Sequence, residues 1–202
     1  MLEINESPKS VSQLTLLKED IRNMLNRFLP PDLKQRPNNK VLSVGCGFAP
    51  EATVIEEMMP DVYFEGIDIA GSMIEGARAV NPKVPIGNFR QADAVDPASF
   101  GLDLWDLIIL RNPQIRGQGS ALKREGIIDE SWQKILRNSA TRLQKGGYMY
   151  VTAPEREEIR DSVNALSSNG VNILIPSTPL GDLNLKSNFP NREEYAALLR
   201  KP

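Results

Sequence analysis

The 202-residue chain is long enough for one domain with a substantial core, and its 41% hydrophobic and 25% charged content is that of an ordinary globular protein. The absence of histidine and the single cysteine exclude Ser-His-Asp and Cys-His hydrolases, HExxH zinc sites and intrachain disulfides, and a net charge of -2 argues against a protein built chiefly to grip nucleic acid or anionic lipid. No stretch reaches the ~20 apolar residues that span a bilayer, and Glu3 and Glu6 stand where a secretory leader would be basic, so a cytoplasmic setting, no metal and no membrane partner are expected.

Leu14, Leu17, Ile21, Met24, Leu25 and Phe28 recur at helical spacing, with Lys18, Glu19, Arg22 and Arg27 between them. This predicts an amphipathic helix stopped by Pro30-Pro31. A polar linker, "DLKQRPNNK", follows. Residues 1–39 therefore read as an N-terminal helical extension and residues 40–202 as the main domain. Val41, Leu42 and Val44 form an apolar run short enough for a fully buried strand. After Gly45 and Gly47, Pro50 suits the start of a helix, which "EATVIEEMM" continues to Pro60. "VYFEGIDI" reads as the second strand. In "SMIE", Ser72 and Glu75 have the spacing of a capping box, opening a helix on Met73, Ile74, Ala77 and Val80.

A weaker strand lies near "NFRQADAV" and a strong one at "DLIIL". A helix on Trp132, Ile135, Leu136 and Leu143 is expected to end at Gly146-Gly147. Strand "YMYVTA" follows, then a helix on Ile159, Val163 and Leu166 that stops at Asn169-Gly170, then strand "VNILI". A short helix is expected at "REEYAALLRK". The alternation predicts an α/β fold with a doubly wound, mostly parallel sheet covered on both faces. Ligands bind such sheets beyond the carboxyl ends of the strands, where the strand order reverses.

A Gly-x-Gly turn between strand and helix serves a tight bend as readily as a ligand. Here Pro50 stands where the dinucleotide fingerprint needs its last glycine, which leaves an NAD(P)-dependent oxidoreductase as the alternative reading. Asp68 ends the second strand, 23 residues after Gly45, where a carboxylate can accept hydrogen bonds from both ribose hydroxyls. Asp93 ends the third strand and can accept one from an exocyclic amine such as that of adenine. Three such signals on successive strand ends point to one site.

"VLSVGCGFAPEA", "GIDIAGSMIEGAR", "RQADAVD" and "DLWDLIILRNP" resemble the successive motifs of the class I S-adenosylmethionine-dependent methyltransferases. "LQKGGYMYVTA" resembles that family's fifth-strand segment, and the likeness runs from about Lys40 to Ala153. The resemblance implies a Rossmann-like sheet of the seven-stranded type and S-adenosylmethionine as cofactor. By position it implies that the Gly45-Cys46-Gly47 turn meets the methionine part. It further implies that Asp68 binds the ribose, that Ile69 packs on adenine with Met73 nearby, and that Asp93 and Ala94 meet the adenine edge. Leu110 and Arg111 would face the sulfonium and amino-acid end. The family commonly carries an acidic residue two before the first glycine, where it helps hold the cofactor's ammonium group. Here that residue is Ser43, which brings no charge.

Methyl transfer from a sulfonium is an in-line displacement that needs alignment more than a base, so the missing histidine does not weigh against it. No catalytic residue is assigned. Arg111 and Asn112 follow the fourth strand, where methyl acceptors usually sit. Asn112-Pro113 resembles the Asn-Pro-Pro-aromatic motif of amino-group methyltransferases, but Gln114 and Ile115 replace its second proline and its aromatic. Eight basic residues lie between Arg111 and Lys145, and a solvated helix face is favoured over an RNA surface for them. "RGQGSALKREG" reads as a mobile lid. The expected function is a methyltransferase acting on an unidentified acceptor, most simply a small molecule. A non-catalytic S-adenosylmethionine-binding protein is a further alternative, and the N-terminal helix offers a surface for a homodimer.

Overall fold

The computed structural model describes residues 11–111, 130–180 and 195–202. Its sheet has seven strands: β1 (Lys40–Val44), β2 (Tyr63–Asp68), β3 (Phe89–Gln91), β4 (Trp105–Arg111), β5 (Leu143–Ala153), β6 (Asn172–Pro179) and β7 (Tyr195–Arg200). They lie in the order β3-β2-β1-β4-β5-β7-β6. The first five are parallel, and β7 runs antiparallel between β5 and β6. Helices α1 (Val11–Phe28), α2 (Pro31–Gln35), α3 (Glu51–Met58), α4 (Gly71–Val80), α5 (Glu130–Arg142) and α6 (Arg156–Ser168) cover the faces. The doubly wound, mostly parallel sheet expected from the sequence is present.

The central strands carry no polar alternation because both of their faces are covered. On one face Val41, Leu107 and Ile109 pack with Ile21, Leu25 and Phe28 of α1 and with Val54 and Ile55 of α3. On the other, Leu42, Ile108 and Met149 pack with Leu136 of α5 and with Ile159, Val163 and Leu166 of α6. Strand order reverses between β1 and β4, so the ends Val44 and Leu110, partners in register, mark the switch point.

Three local expectations are corrected. "REEYAALLRK" was expected as a helix, yet residues 195–200 form β7. Ala196 and Leu198 enter one core layer, and Ala197 and Leu199 the other. Burial on alternate faces between two strands outweighs the helix preference of Ala and Leu. The linker after Pro30 contains α2, whose Leu33 is fully buried. The helix expected to run through Leu143 ends at Arg142, and Leu143 opens β5 opposite Trp105.

The β4–β5 register then jumps to Leu107 opposite Tyr148. Gly147 sits in that irregularity. A β-carbon there would meet three main-chain carbonyl oxygens, of Gln144 at 2.9 Å, Trp105 at 3.0 Å and Asp106 at 3.1 Å. Main chain cannot rotate away as a side chain can. Gly147→Ala is therefore expected to cost about 1–3 kcal/mol of stability, the usual penalty of overpacking. Urea denaturation checks this, and an unchanged midpoint would mean that the bulge relaxes freely. Among the described residues no helix is long and apolar enough to cross a membrane.

Candidate functional site

The carboxyl ends of β1, β2, β3 and β4 open onto a cavity of about 590 Å³. The turn after β1 shapes its floor. Gly45 (φ +64°), Gly47 (φ +53°) and Ala49 (φ +45°) all take left-handed backbone, a conformation that glycine adopts at little cost and alanine does not. The Cys46 amide donates to the Ile67 carbonyl of β2 at 3.0 Å, and the Ala49 amide donates back to Cys46 at 2.8 Å. Asn81, fully buried at the end of α4, secures the far side. Its amide donates to the carbonyls of Phe48, Ala49 and Ala77, and its oxygen accepts from the Thr53 hydroxyl.

The bulk of Phe48 within the turn is accommodated by α4. A β-carbon on Gly76 would lie 2.1 Å from the Phe48 ring, so glycine at 76 is the complement of phenylalanine at 48. Cys46 packs in the same manner on Gly66, where a β-carbon would lie 2.9 Å from its sulfur. Burial, then the nearby Glu51 and Asp68 carboxylates, push the Cys46 thiol well above its ordinary range. Cys46 is a packing group here and no nucleophile.

Asp68 ends β2 at the rim. One carboxylate oxygen accepts the Gly47 amide at 2.9 Å and the other the Ala70 amide at 2.9 Å. This corrects the capping expectation. Helix α4 begins at Gly71 with Ala70 before it, and no side chain caps that position. Ser72 is already inside the helix and exposed. The entry to α4 is held instead by Asp68. A carboxylate offers about four lone-pair sites, so these two bonds leave acceptor capacity. Asp93, exposed in the loop after β3, accepts the Val95 amide at 2.9 Å. The Ala94 and Val95 carbonyls are clamped by Asn138 of α5, each at 3.0 Å.

Gly45, Cys46, Gly47, Asp68, Ile69, Met73, Asp93, Ala94 and Arg111 all line the one cavity. Ile69 is 66% exposed there, an apolar face without protein cover. Ser43 and Leu110 are buried and do not line it. Asn112 and the lid "RGQGSALKREG" lie outside the described residues. Sequence reasoning missed Trp132 and Ile135 as lining residues, since helical spacing alone assigns them to the core. Leu14 and Leu17 of α1 also reach the cavity, while Ile21, Met24 and Phe28 of the same helix enter the core. A further missed group is Glu51, the first residue of α3, only 1% exposed. It accepts the Ser43 hydroxyl at 2.6 Å and the Arg111 guanidinium at 3.0 Å.

A nucleoside joined to an amino acid fits this arrangement. The volume lies within the roughly 300–1,000 Å³ of small-molecule sites. Asp68 has acceptor capacity for a diol, Ile69, Met73, Val95 and Ile135 give apolar walls, and Arg111 brings a cation to the end of β4.

Residues 24–173 match the methyltransferase small domain family. No curated protein matches the chain. An O-methyltransferase family protein from Burkholderia thailandensis has a similar structure, with a TM-score of 0.65 at 10% identity; the match covers 94% of this chain and 57% of that one. The magnesium protoporphyrin IX methyltransferase of Synechocystis PCC 6803, solved with bound SAM, gives 0.61 at 13% identity over 98% of this chain and 86% of its own. A SAM-dependent methyltransferase from Archaeoglobus fulgidus gives 0.61 at 15% identity over 91% and 94% of the two chains. At such identities the likeness is one of fold. The family match covers most of the chain and takes in the glycine turn, Asp68, Asp93 and Arg111, and by it the chain belongs to the methyltransferase small domain family.

Proposed function

We propose that the chain binds S-adenosylmethionine in this cavity and transfers its methyl group to a small acceptor that enters near Arg111 and Asn112. The observation that carries the reading is the Asp68 carboxylate at the cavity rim, held between the Gly47 and Ala70 amides. In that position it takes the ribose hydroxyls. Ile69, with Met73 below it, covers one side of the adenine, and Asp93 and Ala94 meet its edge. The main chain of Gly45, Cys46 and Gly47 lies along the methionine part.

The cofactor, when bound, supplies an electrophilic methyl group on a sulfonium. The chain's own contribution is alignment and exclusion of water. Leu14 and Leu17 of the N-terminal extension close the cavity from one side, and Trp132 and Ile135 from another. The acceptor is read as a small molecule, the setting as cytoplasmic and the surface of α1 as the route to a homodimer. Pro50, where the dinucleotide fingerprint needs its last glycine, and Asp93 at the adenine edge support this reading over a nicotinamide enzyme.

Calorimetric titration of the purified protein with S-adenosylmethionine, S-adenosylhomocysteine and NAD tests it. Saturable binding of the first two and none of NAD is the expected result. Binding of NAD alone would move the protein to the oxidoreductases, and binding of none of the three would remove the cofactor assignment.

A further inference from the structure

Glu51 poses a physical question. A carboxylate 1% exposed at the start of a helix is costly to bury unless it is paired, and the pair rarely repays the cost in stability alone. Its partners come from separate elements. Ser43 lies within β1, Glu51 opens α3, and Arg111 ends β4. Ser43 stands opposite Ile109 in register, so Arg111 projects past the end of β1, where Gly45 turns the chain away. Glu51 and Ser43 do not line the cavity; Arg111 does, with its side chain 20% exposed.

The chain Ser43–Glu51–Arg111 thus runs from a buried hydroxyl through a buried carboxylate to a cation at the floor of the site. We infer that Glu51 is a positioning residue that holds Arg111 to receive the α-carboxylate of the ligand's amino-acid end. A guanidinium carries five N–H donors in a rigid fork, and a fixed carboxylate on one edge orients the rest. The Ser43 hydroxyl fixes the Glu51 rotamer. The inference rests on the cofactor reading above and adds which end of the ligand these residues read.

Two ligands separate the possibilities. S-adenosylhomocysteine carries the amino-acid end; methylthioadenosine has the same adenosine part without the amino and carboxyl groups. Calorimetry with both should show Glu51→Gln weakening S-adenosylhomocysteine at least about tenfold, the usual worth of one hydrogen bond to a charged group, while methylthioadenosine binds as it does to the unaltered protein. Ser43→Ala should shift the same ratio in the same direction by less. If Glu51→Gln does not fold, as thermal melting would show, the Ser43→Ala comparison decides. Equal losses for both ligands, or none for either, would overturn the inference and make Glu51 a purely structural group. Failure of the unaltered protein to bind either ligand is a different result and counts against the cofactor reading itself.

Discussion

Asp68→Ala is expected to weaken binding of S-adenosylmethionine and S-adenosylhomocysteine by roughly 10²–10³-fold, the worth of two hydrogen bonds to a charged acceptor, with the sheet still formed. The size follows from position. Asp68 is the last residue of β2, and the cavity opens at the carboxyl ends of the strands. Its two oxygens are already tied to the amides of Gly47 and Ala70, so they reach the ligand pre-oriented and lose little side-chain freedom on binding. The same ties mean that the substitution releases the glycine turn and the entry to α4, at about 1 kcal/mol of stability, as removal of a helix cap does. Asp68→Asn keeps one of the two main-chain acceptors, sets an NH2 against the other amide and loses the charge, so it should cost less stability than Asp68→Ala while still losing affinity. Calorimetry beside thermal melting reads both. Undiminished affinity in a folded Asp68→Ala protein would end the ribose assignment.

Asn81→Ala should produce a large loss of stability although Asn81 does not line the cavity. About 2–4 kcal/mol is expected, since several buried hydrogen bonds vanish together. For a chain of this size that corresponds to a fall in Tm of roughly 5–15 °C. Asn81 is buried with no exposure, and Phe48, Ala49, Ala77 and Thr53 all depend on it. Ala49 sits at φ +45°, a conformation that costs an alanine about 1–2 kcal/mol, so it must be held there. Ligand affinity should therefore fall along with stability, because the turn relaxes when Asn81 no longer grips its carbonyls. Urea denaturation and calorimetry on the same variant test the link. A shifted midpoint with undiminished affinity would show that the turn keeps its shape without Asn81.

Much of this was legible in the chain. The central strands stand out because burial on both faces demands unbroken apolar runs, as in Leu107 to Leu110. Gly45 and Gly47 announce a turn, and Asp68 sits at a strand end where the alternation of elements predicts a ligand; Asp93, expected to end the third strand, lies two residues beyond β3 and still lines the cavity. The capping box at Ser72 misled because its spacing is satisfied by residues inside the helix, Ser72 lying two positions past the cap at Ala70. "REEYAALLRK" misled because four apolar residues in a row suit a helix and a doubly buried strand equally well, and only the neighbours β5 and β6 decide.

The sequence by itself determined the class of fold, the edge of the sheet where a ligand binds and the strand-end residues that face it. These depend on local period and on the rules of parallel sheets. Tertiary structure alone decided which residues finish the site. Glu51 meets Ser43 and Arg111, Gly76 makes room for Phe48, Asn81 grips the turn, and Leu14 and Trp132 close over the cavity. Apart from Glu51 and Ser43, those contacts join elements far apart in the chain, and no local pattern records a partner that only the packing of the sheet brings within reach.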